Sequence, residues 1–247
     1  MTAESDLMEA KLTEFVNRAQ AAAGDNLKAI VLYGSAVTGE FSAKHSDLNI
    51  LCLVGQAGSG ELEALHSVAD WWVRDGNPAP IVFTLDELGR SADVFAIELL
   101  DMKHRHRMLY GEDFLAAIEV PMNFHRLQVE RELRTNWLRL RQAILAAPSK
   151  IRVHLDLMLA SVSPFCALFR HALVALGQPM PASKREAVAA MAQLTGADPS
   201  AFETLLDLRE GKTAEDRIDV EAELHAYLEF VEIMTNEVDR RLEANAR

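Results

Sequence analysis

The chain has 247 residues, of which 49% are hydrophobic, 25% charged and 6% aromatic. At about 150 residues per domain this length suits one large or two small domains, and the apolar fraction with 12 glycines and 8 prolines excludes collagen-like and disordered classes. The 25 basic and 37 acidic residues leave a net charge of −12, which argues against wrapping duplex nucleic acid, because phosphate neutralisation supplies most of that affinity.

The first half of the chain alternates helical and strand patterns. Apolar residues at steps of three and four predict amphipathic helices over 6–23 and 61–74. Short apolar runs bounded by glycine, proline or polar turn residues predict strands. Thr84 and Glu87 have the spacing of a capping box, so a further helix is predicted to start there. The three predicted strands are Leu27–Tyr33, Asp47–Val54 and Ile81–Thr84.

The second half shows only helical periodicity. Helices are predicted near 124–144, 150–176, 183–194 and 199–209, with a last helix from 220. Its apolar residues step by four and three, close to a heptad seam, although a helix of this length is more typical of a bundle than of a coiled-coil dimer. We place the domain boundary so that residues 1–120 form an α/β domain and residues 121–247 an all-helical domain.

The sequence carries no sign of export or of a membrane span. Residues 1–15 are acidic and amphipathic and lack the basic start and apolar core of a signal peptide. The stretch 157–169 has no charge or histidine and is as long as any such stretch in the chain, but it is too short to cross a bilayer. Cys52 and Cys166 stand far apart in apolar surroundings and are interpreted as buried free thiols. We therefore expect a cytoplasmic protein that contacts no membrane.

One segment carries a chemical pattern. The first strand runs into Gly34-Ser35, and the second opens with Ser46-Asp47-Leu48-Asn49. Glycine lets the backbone approach a ligand closely, and amides at the start of a short helix can cradle phosphate oxygens. Side chains two apart on a strand share a face, so Asp47 and Asn49 are predicted to project together toward this loop. Because Mg²⁺ is held by one or two carboxylates plus substrate phosphates, the layout predicts a site for a metal-bound nucleoside triphosphate.

This segment resembles the nucleotidyltransferase superfamily typified by DNA polymerase β, whose signature is Gly-Ser, a short spacer, then Asp-x-Asp or Asp-x-Glu. Gly34-Ser35-Ala36-Val37, Gly39 and His45-Ser46-Asp47 are most similar to the streptomycin/spectinomycin adenylyltransferases. Those enzymes transfer AMP from ATP to an aminoglycoside hydroxyl and carry a helical C-terminal domain. The close match covers residues 30–54.

The resemblance implies an α+β fold, with a small mixed sheet in a nucleotidyltransferase-like domain followed by a helical bundle. It implies that Gly34, Ser35 and Ser46 bind the nucleotide, and that Asp47 and Asn49 ligate Mg²⁺ and serve catalysis. The implied cofactors are Mg²⁺ and a nucleoside triphosphate, with ATP favoured. The implied partner is a small-molecule or protein acceptor, expected between the sheet and the helical half. The oligomeric state does not follow from the resemblance, and a homodimer is compatible with it.

The sequence departs from the family pattern in two places. Asn49 replaces the second metal-binding carboxylate, which removes one unit of charge that would attract a divalent ion. The third strand, which in the family supplies another carboxylate, contains no acid, and Asp86 and Glu87 fall beyond its end. Losing a general base typically slows a reaction 10²–10⁴-fold. The alternative function is therefore a catalytically inactive relative that senses a nucleotide or binds a protein as a regulator.

The remaining polar features favour structural interpretations. The basic run 103–107 is predicted to be the solvated end of a helix over 94–105, where cations suit the helix dipole, with a phosphate contact as the alternative. Outside this run, the histidines show no metal-ligand spacing and are predicted to be structural. Adjacent Trp71 and Trp72 cannot share a helix face, so one is expected in the core and one at the surface.

Overall fold

The structure is a computed structural model that describes residues 3–37, 47–147 and 150–244, without the side chains of residues 3, 4, 35 and 243. Contacts divide the chain into two compact units, Met1–Pro121 (unit 1) and Met122–Arg247 (unit 2). Unit 1 carries a small mixed sheet with helices, and the described part of unit 2 is helical. The predicted α+β fold class is confirmed.

Unit 1 combines four strands with four helices within its described residues. The strands are β1 (Leu27–Tyr33), β2 (Asn49–Val54), β3 (Ile81–Thr84) and β4 (His106–Gly111). The helices are α1 (Ala3–Ala23), α2 (Ser59–Arg74), α3 (Leu85–Arg90) and α4 (Ala96–His104). The sheet order is β3-β2-β1-β4; β1 is antiparallel to both neighbours, and β2 is parallel to β3.

The central strands are apolar on both sides because both faces of the sheet are covered. Ile30 and Cys52 belong to a buried cluster with Phe15 of α1 and Trp72 of α2. Val31 belongs to a second cluster on the opposite face, with residues of α3 and α4. Alternate residues of a strand point to opposite faces, so a strand covered twice reads as a continuous apolar run. Burial raises the pKa of the Cys52 thiol to about 12, which keeps it protonated and unreactive.

The edge strand β4 corrects the prediction for the basic run. The predicted solvated helix end stops at His104, and the chain continues as a strand paired with β1. Arg107 makes a two-pronged ion pair with Glu9 of α1, at 2.6 and 3.2 Å. Lys103 Nζ donates to the Ile118 carbonyl at 2.6 Å. The helix-end placement is confirmed for Lys103 and His104, which lie in the last turn of α4. It is wrong for His106 and Arg107, because β4 adds to the sheet and brings Arg107 onto a partner distant in sequence.

The described residues of unit 2 form five helices around an aromatic core. They are α5 (Met122–Ala146), α6 (Ile151–Ala175), α7 (Lys184–Thr195), α8 (Ser200–Arg209) and α9 (Val220–Ala244). Five rings from α6, α8 and α9 meet, with neighbouring ring centroids 4.7–6.4 Å apart. These rings are Phe165, Phe169, Phe202, Tyr227 and Phe230.

Helix α6 extends beyond the charge-free stretch 157–169 at both ends. Its 25 residues, with Pro164 inside, make it long and apolar enough to cross a bilayer by length and composition. Just over half of its most apolar window is buried inside the protein, and its Phe165 and Phe169 pack in the aromatic core. This is the burial expected of a central core helix of a bundle.

Candidate functional site

The candidate site begins where β1 ends. Gly34 has a φ of +82°, in the left-handed region that favours glycine, and opens a 3-10 turn over Gly34–Val37. A Cβ at this position would lie 3.1 Å from Nδ2 of Asn49. Backbone conformation and space therefore both require glycine here. The β1 turn and the start of β2 are in direct contact.

Asp47 and Asn49 lie at the same end of the sheet. Strand β2 starts at Asn49, two residues later than predicted, so Asp47 lies just before the strand and is exposed. Asn49 is half-buried, and its Nδ2 is 3.5 Å from the Asp47 carbonyl. Between them Leu48 is buried, and its backbone N–H donates to Oδ1 of Asn77 at 3.3 Å. This anchor fixes the chain on both sides of the buried leucine and leaves the Asp47 carboxylate in water.

A row of three side chains crosses the sheet at this level. Tyr33, the last residue of β1, pairs with Asn49 on one side and with His106 of β4 on the other. Directly paired residues of antiparallel strands carry their side chains on the same face. Burial raises the pKa of the Tyr33 hydroxyl, so it is protonated at neutral pH. His106 Nδ1 lies 2.8 Å from the Met102 carbonyl and Nε2 lies 3.1 Å from Asp113 Oδ2.

The acids nearest the end of β3 are engaged in helix α3. The predicted capping box is present: the Glu87 amide donates to the Thr84 hydroxyl at 3.1 Å, and the Thr84 amide donates to the Glu87 carboxylate at 2.8 Å. These hydrogen bonds to Thr84 lower the pKa of Glu87. Asp86 pairs with Arg90 one turn later. Strand β3 itself contains no acid.

Few metal donors therefore lie at this end of the sheet among the described residues. Among the described residues, no group of three or more His, Cys, Asp or Glu side chains could hold a metal ion. One carboxylate and one amide, from Asp47 and Asn49, fit a single Mg²⁺ held mainly by substrate phosphates. They do not fit a two-ion site, which needs more negative charge. The Ser35 side chain and Ser46, together with Gly39 and His45, lie outside the described residues, so their predicted roles stay predictions.

Sequence reasoning missed three residues that shape the site. Asn77 lies in the turn before β3, and only the fold brings it to Leu48. Tyr33 was recognised as part of a strand but not as a neighbour of Asn49. His106 was assigned to a helix end, although the short apolar run Met108-Leu109-Tyr110, bounded by Gly111, is typical of a strand.

No protein-family model matches the chain, and no curated protein matches its sequence. Among solved structures it is similar to spectinomycin adenyltransferase AAD(9) from Enterococcus faecialis, crystallised with ATP and spectinomycin. That similarity has a TM-score of 0.53 at 15% identity and covers 95% of this chain and 99% of that one. The chain therefore has a nucleotidyltransferase-like fold, and the predicted resemblance is confirmed at the level of the fold.

Two toxin-antitoxin structures show weaker similarity over about half of the chain. One, solved with AMP-PNP, has a TM-score of 0.30 at 15% identity and covers 54% of this chain and 98% of that one. The other, a mutant of MntA-HpeT, has a TM-score of 0.31 at 14% identity, again covering 54% and 98%. Scores this low do not establish a shared fold.

Proposed function

We propose that unit 1 binds a nucleoside triphosphate, ATP in the first instance, together with one Mg²⁺ ion. We further propose slow transfer of the nucleoside monophosphate to a hydroxyl of a small-molecule or protein acceptor. The observation that carries this proposal is the contact of the left-handed Gly34 turn with Asn49, two residues after Asp47, at one end of the sheet. The AAD(9) structure with the same fold was solved with ATP, which supports the choice of nucleotide.

Each residue has a defined task in this proposal. Gly34 itself carries no side chain, and the backbone N–H groups of its turn can donate to phosphate oxygens. Asp47 contributes the single negative charge, and Asn49 contributes an uncharged amide. A divalent ion bound here would supply charge stabilisation on the phosphates. Since two of the three carboxylates that the family pattern implies are missing, the triphosphate itself must supply most of the metal's ligands.

The proposed transfer exchanges one phosphorus–oxygen bond for another. The acceptor hydroxyl oxygen forms a bond to the α-phosphorus, the bond to the bridging oxygen breaks, and pyrophosphate leaves. The hydroxyl proton passes to solvent, because β3 contains no acid to receive it and the nearest acids are held in the α3 cap. Phosphoryl-type transfer depends chiefly on positioning and electrostatics, so turnover survives at a rate lowered by about the 10²–10⁴-fold that a general base contributes.

The acceptor class follows from charge. With a net charge of −12, the protein attracts cationic small molecules over anionic ones. The AAD(9) structure was solved with spectinomycin, which makes small polyhydroxylated amines the first acceptors to test. The alternative function, a nucleotide-sensing or protein-binding regulator without turnover, is favoured by Asn49 and by the acid-free β3.

Thermal unfolding with each of the four nucleoside triphosphates, with and without Mg²⁺, tests binding. At a ligand concentration 100 times Kd the native state gains about 2.7 kcal/mol, a rise in Tm of about 5–11 °C for a chain of this length. Asp47→Asn should abolish the Mg²⁺-dependent part of the shift. Asp25→Asn is the matched control, since Asp25 is an exposed acid just before the other end of β1. No shift with any triphosphate at millimolar concentration would overturn the proposal.

Restoring the missing charge separates the enzyme from the regulator. Asn49→Asp adds a carboxylate beside the Gly34 turn and should tighten Mg²⁺-dependent binding. Radiolabelled transfer assays then compare the native chain, Asn49→Asp and Asp47→Asn. Native turnover that Asp47→Asn removes supports the transferase. Turnover found only in Asn49→Asp supports the regulator.

A further inference from the structure

Helix α5 has two apolar faces, and only one of them is covered. Its buried face presents four residues to the core of unit 2, and α5 contacts α6 and α9. These residues are His125, Val129, Leu133 and Leu140. The opposite face holds six exposed residues at alternating steps of four and three. We name them the α5 stripe: Leu127, Arg131, Arg134, Leu138, Arg141 and Leu145.

The leucines of the α5 stripe are unusually exposed for large aliphatic side chains. Leu127 is 65% exposed, Leu138 56% and Leu145 88%. Single exposed leucines need no explanation, but three on one helical line form an apolar seam. Steps of four and three give the 3.5-residue period with which one helix packs along another. The stripe therefore has the spacing of a helix-pairing surface.

The charge of α5 is opposite to that of the rest of the chain. The helix contains five arginines and two glutamates in a protein with a net charge of −12. Within the stripe, Arg134 is paired with Asp239 at 2.6 Å, and the Arg141 guanidinium lies 5.4 Å from the Trp137 ring centroid. Arg131 has no ion pair among the described residues. Two of the three stripe cations are thus available to carboxylates of a partner.

A second copy of this chain fits the stripe poorly. Pairing two α5 helices in parallel places Arg131 opposite Arg131 and Arg141 opposite Arg141. Pairing them antiparallel about the centre of the stripe places Arg131 opposite Arg141. Like charges directly opposed are unfavourable in either arrangement. Nucleic acid fits poorly as well, because the leucines offer no ring on which a base could stack.

We propose that the α5 stripe is a docking surface for an acidic amphipathic helix of another protein. The occupant carries apolar residues and carboxylates at the same alternating steps, so that its leucine-type residues meet Leu138 and Leu145 and its acids meet Arg131 and Arg141. Charge complementarity supports this occupant, and helix-in-groove recognition reads such anchors at these spacings. The docking proposal rests on residues of unit 2 alone and does not depend on the nucleotide site proposed for unit 1.

The test uses the full chain and two synthetic helical peptides about as long as α5. Both carry leucine at the positions that face Leu127, Leu138 and Leu145; at the positions that face Arg131, Arg134 and Arg141, one has glutamate and the other has lysine. Fluorescence anisotropy at low salt should show the glutamate peptide binding at least about ten-fold tighter than the lysine peptide, with the difference shrinking at high salt.

Variants on and off the stripe decide whether the surface is the one proposed. The double variant Arg131→Glu/Arg141→Glu should weaken binding of the glutamate peptide about ten-fold or more. The double variant Leu138→Gln/Leu145→Gln should weaken this binding as well. Arg139→Glu is the matched control, since Arg139 is an exposed arginine of α5 outside the stripe, and it should change binding less than three-fold. All positions are exposed, so circular dichroism should show unchanged folding.

Several results would overturn the docking proposal. These are equal affinity for both peptides, a loss of binding in Arg139→Glu as large as in the double arginine variant, and stripe-dependent self-association of the native chain in sedimentation. Tighter binding of single-stranded DNA than of the glutamate peptide would overturn it too.

Discussion

Unit 1 keeps its candidate polar groups at the end of a sheet, where water reaches them, whereas unit 2 buries polar groups in pairs inside a helical core. Asp47 is exposed beside the Gly34 turn. In unit 2, by contrast, the Ser161 and Tyr227 hydroxyls are 2.8 Å apart, and His125 Nε2 lies 3.0 Å from His171 Nδ1. A strand end leaves polar groups available for a ligand, while a bundle interior must satisfy them internally. Polar residues of the two units therefore support different roles.

The aromatic core of unit 2 offers the largest expected effect. Phe202 is fully buried and stacks on Tyr227 at a centroid distance of 4.7 Å. Phe202→Ala should lower the free energy of unfolding of unit 2 by about 3–5 kcal/mol. Urea titration followed by ¹⁹F NMR of fluorotryptophan-labelled protein separates Trp137 of unit 2 from Trp71 and Trp72 of unit 1.

The matched control for the aromatic core is an exposed apolar residue of the same unit. Leu145→Ala, at a side chain 88% exposed, should change stability by less than about 0.5 kcal/mol. A Phe202→Ala loss as small as this would show that the rings are not the stabilising core of unit 2.

The buried histidine pair gives unit 2 a pH dependence. Burial, and then the neighbouring His171 and Arg126, lower the pKa of His125 from 6.5 to about 4. The unfolded chain therefore takes up this proton first as pH falls, so the stability due to neutral His125 is present above about pH 6.5 and is lost toward pH 4. Between pH 7 and 5 the loss should be about 2 kcal/mol.

Urea unfolding at the two pH values measures this loss. His125→Gln should remove most of the pH-dependent difference, because the titrating group is gone. His225→Gln is the control, since His225 is exposed on α9 of the same unit. An unchanged slope of stability against pH in His125→Gln would contradict the assignment to the buried pair.

The smallest expected effect on stability is at the turn of unit 1, where the functional effect should be larger. Gly34→Ala combines a left-handed φ of +82° with a Cβ placed 3.1 Å from Asn49 Nδ2. Gly76→Ala has a similar φ of +91° and open space around the new Cβ. In both variants, backbone strain should lower the free energy of unfolding by about 1–2 kcal/mol. Only Gly34→Ala should also lose the Mg²⁺-dependent nucleotide shift, because it displaces Asn49.

Thermal unfolding with and without Mg²⁺ and the triphosphate compares these two glycine variants. Equal nucleotide shifts in both would show that the contact between Gly34 and Asn49 has no part in binding. That result would turn attention from the sheet end of unit 1 to other parts of the protein.

Much of the fold could be predicted because local physics sets it. The strands β1 and β3 were predicted with the bounds observed, since buried runs ending in Gly34 or in a Thr84 cap leave few alternatives. The Trp71 and Trp72 split is confirmed: Trp72 is fully buried, and Trp71 lies half-exposed under the Arg18 guanidinium. A residue's own neighbours in sequence were enough in each case.

The sequence by itself determined the fold class, the helical second half and the Gly-Ser and Asp-x-Asn segments, because period, capping and turn chemistry depend on residues a few positions apart. Only the tertiary structure decided that β4 pairs with β1, that Arg107 meets Glu9, and that Asn49 lies against Gly34. These contacts join residues 15 to 98 positions apart. Strand order and the choice of a partner across a sheet depend on how the whole chain packs, which no local pattern encodes.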